Sequence, residues 1–251
     1  MINGFDIQER YENLPHGELR LQAIKNAIAL ADAEKDYEFM YIFRSDLMSE
    51  SELYGDSFQA FLTFPEMIKI FDEHEEELEE YKHDYIWEFK WILSDCEDFY
   101  QVSKAKAYEL FAEFRKRCER YGYSLRPYYQ CLYHFEKACD KQAAKKAYQQ
   151  FILAKRDELA DCYACELNAM VDYELNTASM GRALETAYPI LSGQVSCTEI
   201  PDVTYNNIMH RYYELGDFEK AEEYRKKCYR RISKNSSYLF IICLLYTSDA
   251  A

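Results

Sequence analysis

Apolar residues recur along this chain at intervals of three and four positions, which is the period of an α-helix. The stretch AYELFAEFRKRCERYG (107–122) is typical, because one helical face carries Ala107, Leu110, Phe111, Phe114 and Cys118. Similar segments follow all along the chain, separated by short polar breaks. No segment alternates with a period of two between hairpin turns. The pattern therefore predicts an all-α protein.

The helices are predicted to come in pairs, most clearly over residues 205–232. Aromatic and apolar residues line the first helix, a glycine makes the turn, and an alanine lets the second helix approach closely. The residues that define this pair are Tyr205, Ile208, Tyr212, Gly216, Phe218, Ala221 and Cys228. Their order and spacing resemble the tetratricopeptide repeat. The sequence differs from the repeat pattern at Ser233, where the pattern usually has a proline, and at Arg225, where it has an aromatic residue.

The alanine of the second helix recurs upstream, and an apolar residue follows it four positions later. Phe111 follows Ala107 in this way, and Phe151 follows Ala147. The full series is Ala60, Ala107, Ala147, Ala183 and Ala221, with intervals of 47, 40, 36 and 38 residues. A strict repeat has about 34 residues, so these are degenerate units with longer connectors.

The resemblance implies a right-handed α-solenoid of antiparallel helix pairs, with about five pairs over residues 36–234. Residues 1–35 form an N-terminal segment with a leading helix that caps the stack. A compact irregular helical bundle is the alternative architecture. Pro65 and Pro189 fall inside proposed second helices, so we expect each to begin a helix or to kink one.

The C-terminal residues are interpreted separately. CLLYTSDAA (243–251) resembles read-through of a sequencing adapter, so we expect a non-native tail there and give Cys243 no functional role. Residues 235–242 would then begin a truncated continuation. Further upstream, RDELADCYACE (156–166), YPILSGQVSCTEIP (188–201) and YELGDFEKA are similar to segments of bacterial tetratricopeptide-like proteins. That resemblance implies a fold and implies no activity.

Charge and composition narrow the classes of partner. The formal net charge of −15 disfavours binding to nucleic acid and to anionic membranes, and it favours basic partners. The basic stretch RKKCYRRISK (225–234) is explained by the preference for cations near a helix C-terminus. The longest apolar run, at 238–246, is about half of what a membrane span needs. The N-terminus carries no secretion signal, and nine cysteines suit a reducing cytoplasm.

Motifs for catalysis are missing from the sequence. It contains no GxGxxG, GxxxxGK[ST], GxSxG or HExxH pattern, and the stretch HEEEL (74–78) lacks the second histidine. We therefore expect a protein that is not an enzyme.

The pair of cysteines in DCYAC (161–165) is the one candidate for chemistry. Asp161 is a good N-cap, which would put Cys162 and Cys165 in the first turns of a helix. The loop after the next helix should bring Cys197 to the same edge. Three thiols there are a candidate structural zinc site, with Asp161, Glu199 or water as fourth ligand. We favour core packing for these cysteines, since free cysteine is often buried, and keep a metal or redox role as the alternative.

The first helix of each pair is expected to line a concave face that binds a protein or peptide. In the repeat register that face carries Asn168, Asp172, Asn206, His210 and Tyr213. The leading hypothesis is a scaffold that binds its partner there by shape and hydrogen bonds. The alternative is a peptide-responsive regulator, similar to bacterial quorum-peptide receptors, whose output domain is missing. The oligomeric state is left open.

Overall fold

A computed structural model of the chain describes residues 3–53, 58–96, 99–234, 238 and 241–243, and these residues contain helices and no strand. The predicted all-α class is thereby confirmed. The helices are α1 Gly4–Glu12, α2 Glu18–Glu34, α3 Tyr37–Leu53, α4 Phe58–Glu73, α5 Lys82–Ser94, α6 Lys104–Tyr121, α7 Arg126–Cys139, α8 Lys141–Leu153, α9 Tyr163–Thr177, α10 Met180–Leu191, α11 Asp202–Glu214 and α12 Phe218–Ile232, with a 3-10 helix at Glu79–Tyr81. The non-native tail predicted for 243–251 lies, from residue 244 on, outside the described residues.

The chain divides into two units, Met1–Leu159 and Ala160–Ala251. In the first unit each helix from α1 to α8 packs on the next, and α5 also contacts α7. Its larger core is rich in aromatic rings. Tyr85 stacks on Phe71 with the ring centroids 4.2 Å apart, and Phe89 meets the edge of Phe64. A smaller core, which contains Ile24, joins α1, α2 and α3.

In the second unit each helix from α9 to α12 packs on the next, and α9 also contacts α11. One core lies among all four helices and contains Val171, Ala183, Ile208 and Cys228. A separate small cluster surrounds the start of α9 and contains Ala164, Leu167, Ile190 and Ile200. This second cluster fixes the position of the loop that joins α10 to α11.

The turn between α11 and α12 forms as the sequence predicts. Gly216 has φ of +76°, a left-handed conformation that glycine adopts without strain. The N–H groups of Gly216 and Asp217 donate to the carbonyls of Tyr213 and Tyr212, each at 3.0 Å, which closes the end of α11. The Asp217 carboxylate then accepts from the N–H of Lys220 and caps α12. The two helices therefore join through three residues.

The alanines that mark the predicted second helices are all buried. Each is at most 5 % exposed, and each lies on an even-numbered helix from α4 to α12: Ala60, Ala107, Ala147, Ala183 and Ala221. Phe111 and Phe151, predicted to follow on the same faces, are at most 1 % exposed. The arrangement of the pairs as a solenoid remains a prediction.

Two expectations about helix boundaries were incomplete or wrong. Neither Pro65 nor Pro189 begins a helix, because they lie inside α4 and α10, and the other possibility, a kink, stays a prediction. The leading helix is found as α2, but a further short helix, α1, precedes it. Asn3 starts α1 by accepting the N–H of Phe5 at 3.1 Å. Nine residues give too short a periodic pattern to be recognised in the sequence.

Candidate functional site

The first candidate site lies at the beginning of α9. The helix starts at Tyr163, and Cys162 is its N-cap, whose thiol accepts the N–H of Cys165 at 3.5 Å. The expectation that Asp161 caps this helix is therefore wrong by one residue. A thiol is a weak acceptor, but here it is the group that lies next to a free N–H of the first turn.

Cys197 comes to the same place from the connection between α10 and α11. Its Sγ atom lies 3.5 Å from Sγ of Cys165, and the three sulfurs of Cys162, Cys165 and Cys197 all lie within 4.8 Å of one another. The N–H of Cys197 donates to the carbonyl of Ile200 at 3.1 Å, which closes a tight turn. The predicted meeting of these three thiols is confirmed.

The exposure of these thiols differs from that of the cysteines in the two larger cores, and it resembles that of Cys139, which is exposed at the end of α7. Cys162 is exposed, and Cys165 and Cys197 are half-buried. By contrast, four cysteines are fully inside the cores: Cys96, Cys118, Cys131 and Cys228. Core packing therefore accounts for the buried four, and it does not account for Cys162.

The thiols at the start of α9 differ in acidity. Partial burial raises the pKa of Cys162, but this is outweighed by hydrogen bonds from the N–H of Cys165 and from the Cys165 and Cys197 thiols, and its pKa falls below the ordinary value. Burial raises the pKa of Cys165, and its bonds with the other two thiols raise it further. Cys162 is therefore the first of this pair to become a thiolate.

Neither of the two protein groups suggested as a fourth ligand is in place, which leaves water, the third alternative. Among the described residues, the closely spaced group of metal-ligating atoms consists of the three thiols and includes neither Asp161 nor Glu199. A metal ion held here would have three protein ligands and a position facing solvent beside the exposed Cys162.

The second candidate site consists of polar residues on α9 and α11. Asn168 on α9 accepts a hydrogen bond from the hydroxyl of Thr204 on α11 at 2.7 Å. Asp172 lies one turn further along α9 and is buried, and its carbonyl and carboxylate both accept from Asn176. These two residues therefore already make bonds within the unit and do not form an open polar surface.

Two atoms of α11 have unused hydrogen-bonding capacity. Neither Asn206 Oδ1 nor His210 Nε2 has a hydrogen-bond partner among the residues that the structure describes. Asn206 is 7 % exposed and His210 is half-buried, one helical turn away. Burial lowers the pKa of His210, partly offset by the nearby Glu214 carboxylate, so its imidazole is neutral at pH 7. Tyr213, the fifth predicted residue, packs its ring against the edge of Phe218.

Sequence reasoning missed a comparable polar contact in the first unit, between α3 and α5. Glu88 on α5 accepts a hydrogen bond from the Tyr41 hydroxyl at 3.0 Å and another from the Ser45 hydroxyl. One residue further along α3, Asp46 accepts from Gln8 on α1 at 3.0 Å. Tyr41 and Ser45 lie four residues apart, which puts them on one face, but that spacing alone gives no functional signal.

No family model, curated protein or solved structure matches this chain significantly. Among the described helices, none has the length and apolar character needed to cross a bilayer.

Proposed function

We propose that this protein is a non-enzymatic helical-repeat scaffold that binds a protein or peptide partner through the first helices of its pairs. The contacts between alternate helices support the architecture. In each unit a first helix contacts the first helix of the following pair, α5 with α7 and α9 with α11. Such contacts are expected in a right-handed solenoid of antiparallel pairs, where each unit stacks on its neighbour.

The buried alanines support the same arrangement. All five lie on the even-numbered helices, where a small side chain allows two backbones to approach. Within each unit, the odd-numbered helices would then share one face. The partner would bind along that face of the second unit, to which the repeat register assigns Asn206, His210 and Tyr213, while Asn168 and Asp172 keep their hydrogen bonds within the unit.

The unpartnered atoms of Asn206 and His210 are the observation on which this proposal depends. A buried polar atom without a hydrogen bond costs about 1–3 kcal/mol, so such atoms are rare unless something else uses them. Asn206 Oδ1 is an acceptor, and the Nε2 atom of a neutral His210 that carries its proton on Nδ1 is another. Together they offer two acceptors on one helical face, about one turn apart.

Two adjacent acceptors match the N–H donors of a peptide backbone or of a lysine or arginine side chain. The net charge of −15 favours the same kind of partner, since it attracts cationic segments. Both atoms are covered by neighbouring side chains, so binding includes a side-chain rotation that turns them toward the partner. The unmade hydrogen bonds are made in that step.

A peptide array that contains lysine-rich and arginine-rich sequences tests the proposal. The best binder is then titrated into the wild type, Asn206→Leu and Asn207→Ala. Leucine keeps the approximate volume of Asn206 and removes its amide, while Asn207 is the half-buried neighbour on the same helix. We expect Asn206→Leu to weaken binding about tenfold, equivalent to about 1.4 kcal/mol, and Asn207→Ala to leave the affinity within about twofold.

Thermal unfolding of the same variants separates binding from folding. Removal of an unpartnered buried oxygen should leave the midpoint of Asn206→Leu unchanged or raised. Equal affinities for Asn206→Leu and Asn207→Ala would contradict the proposal, and so would an array without any binder.

A further inference from the structure

The three thiols at the start of α9 lie apart from the residues proposed to bind a peptide, and their geometry is that of a metal site. We propose that Cys162, Cys165 and Cys197 bind one thiophilic metal ion, zinc, with a solvent molecule in the fourth coordination position.

The distances between the sulfurs fit a single ion. A tetrahedral ion with zinc–sulfur bonds of about 2.3 Å separates its sulfur ligands by about 3.8 Å. Here one Sγ–Sγ distance is 3.5 Å, and no pair in the group exceeds 4.8 Å. Small rotations of the cysteine side chains therefore suffice to bring all three sulfurs to the ion.

The backbone on both sides of the site is already fixed. Cys162 is held as the N-cap of α9, and Cys197 is held by the hydrogen bond from its N–H to the carbonyl of Ile200. The apolar cluster of Ala164, Leu167, Ile190 and Ile200 packs beneath the thiols. An ion would therefore find the ligands in place, and little conformational entropy would be lost on binding.

The electrostatics of the helix terminus favour thiolates. The free N–H groups at the start of a helix carry partial positive charge, and the Cys165 N–H points at the Cys162 sulfur. Binding replaces three S–H protons by the ion and releases those protons to solvent, which leaves a site with net charge −1. Affinity should therefore fall as the pH is lowered.

A bound metal ion explains the convergence of the three thiols better than core packing or a disulfide does. The four cysteines of the described cores are buried, whereas Cys162 is exposed. A disulfide would join two of the three sulfurs and leave the third without a role. Three soft donors converging at one point are typical of sites for zinc or copper(I).

The proposed ion would also join two parts of the second unit. Cys162 and Cys165 start α9, and Cys197 belongs to the connection that leads into α11. A bond through the metal fastens this connection to α9. We therefore expect metal binding to raise the thermal midpoint of the protein.

Cobalt(II) is a suitable probe, because thiolate coordination gives it intense near-ultraviolet and visible absorption, whereas zinc is silent. The full chain is reduced, stripped of metal with a chelator and titrated with cobalt(II), and zinc is then added. We expect one equivalent of cobalt to bind and added zinc to displace it. In Cys162→Ser and in Cys197→Ser, the cobalt absorption should be lost in the near-ultraviolet and in the visible range.

Cys139→Ser is the matched control, since Cys139 is an exposed cysteine at the end of α7. It should bind cobalt as the wild type does. Circular dichroism checks that each serine variant keeps its helices, and the thermal midpoint with and without zinc gives a second measurement. A cobalt spectrum that survives Cys197→Ser would overturn the proposal. So would a disulfide between Cys165 and Cys197 that forms in a glutathione buffer while added zinc stays free.

Discussion

The carboxylate of Glu88 lies where α5 faces α3, in surroundings that disfavour its charge. Its pKa is raised to about 7, mainly by burial and also by the carboxylates of Asp84 and Asp46, although hydrogen bonds from the hydroxyls of Ser45 and Tyr41 lower it. Protonated Glu88 is therefore more stable in the folded protein than in the unfolded chain. The first unit should be less stable above neutral pH than in mild acid.

Glu88→Gln should reduce this pH dependence. The folded carboxyl keeps its proton up to about pH 7, whereas the unfolded one loses it near 4.5, so stability that is present below 4.5 is lost as the pH rises to about 7. Glutamine stays neutral and can still accept hydrogen bonds from Tyr41 and Ser45. Measured by urea unfolding at about pH 5 and about pH 8, the variant should lose less stability than the wild type, by roughly 1–3 kcal/mol.

Glu109→Gln is the control for this comparison. Glu109 is exposed on α6 and pairs with Lys106 at the surface, so its removal should leave the pH dependence as in the wild type. A Glu88→Gln variant with the same pH dependence as the wild type would show that the buried carboxylate does not control it.

Sequence reasoning at the residue scale succeeded where a repeat register fixed positions. The meeting of Cys197 with Cys162 and Cys165 could be predicted, because the helix order places their backbones on one edge. The cap of α9 could not, since aspartate is normally the better N-cap and only the three-dimensional course of the chain selects Cys162 instead. The unpartnered state of Asn206 could not be predicted either, because it depends on which neighbours cover the side chain.

At the scale of elements, the presence of a helix was easier to predict than the residues at which it begins and ends. Apolar periodicity identified α6, α11 and α12, but proline suggested a boundary at Pro65 and at Pro189 where the helices continue. An interior proline loses one hydrogen bond and crowds the preceding turn. Both helices tolerate it because buried residues on either side, such as Phe64 and Met67 around Pro65, hold the helix against the core.

The buried alanines give a prediction about how helices pack. Ala107 on α6 is 0 % exposed and lies in the same core as Phe111 and Phe114. Ala107→Leu would force the extra volume into closely packed surroundings, which typically costs about 1–3 kcal/mol. Urea unfolding of the variant and the wild type should show a loss of this size.

Ala105→Leu is the matched control, because Ala105 lies two residues earlier on the same helix and is exposed. Both variants change helix propensity equally, so the difference between them isolates the packing. We expect Ala105→Leu to stay within about 0.5 kcal/mol of the wild type. Equal stability of the two variants would mean that Ala107 does not lie at a close contact between helices.

At the scale of the whole molecule, apolar periodicity gave no indication of where the chain divides into units. The repeat domain over residues 36–234 stays a prediction, and the contacts between helices divide the chain between Leu159 and Ala160. The nine residues from 154 to 162 look like any other polar break in the sequence. A division of this kind depends on which helices contact each other, and apolar periodicity carries no information about that.

The net charge of the molecule gives a prediction that no single contact determines. The formal charge is −15 and the sequence pI is about 4.9, so acidic groups repel one another throughout the folded chain at neutral pH. Raising the ionic strength from about 0.01 M to about 0.1 M shortens the screening length from about 30 Å to about 10 Å. This weakens long-range repulsion far more than ion pairs in direct contact, such as Arg117 with Asp72 at 2.6 Å.

Sodium chloride should therefore raise the thermal midpoint at about pH 8, measured by circular dichroism at those two ionic strengths. At about pH 5 the net charge approaches zero, long-range repulsion disappears, and the same addition of salt should change the midpoint little. Chloride is preferable to sulfate, because sulfate also stabilises proteins by exclusion from their surface. A midpoint that falls with salt at about pH 8 would mean that local ion pairs contribute more to stability than the net repulsion takes away.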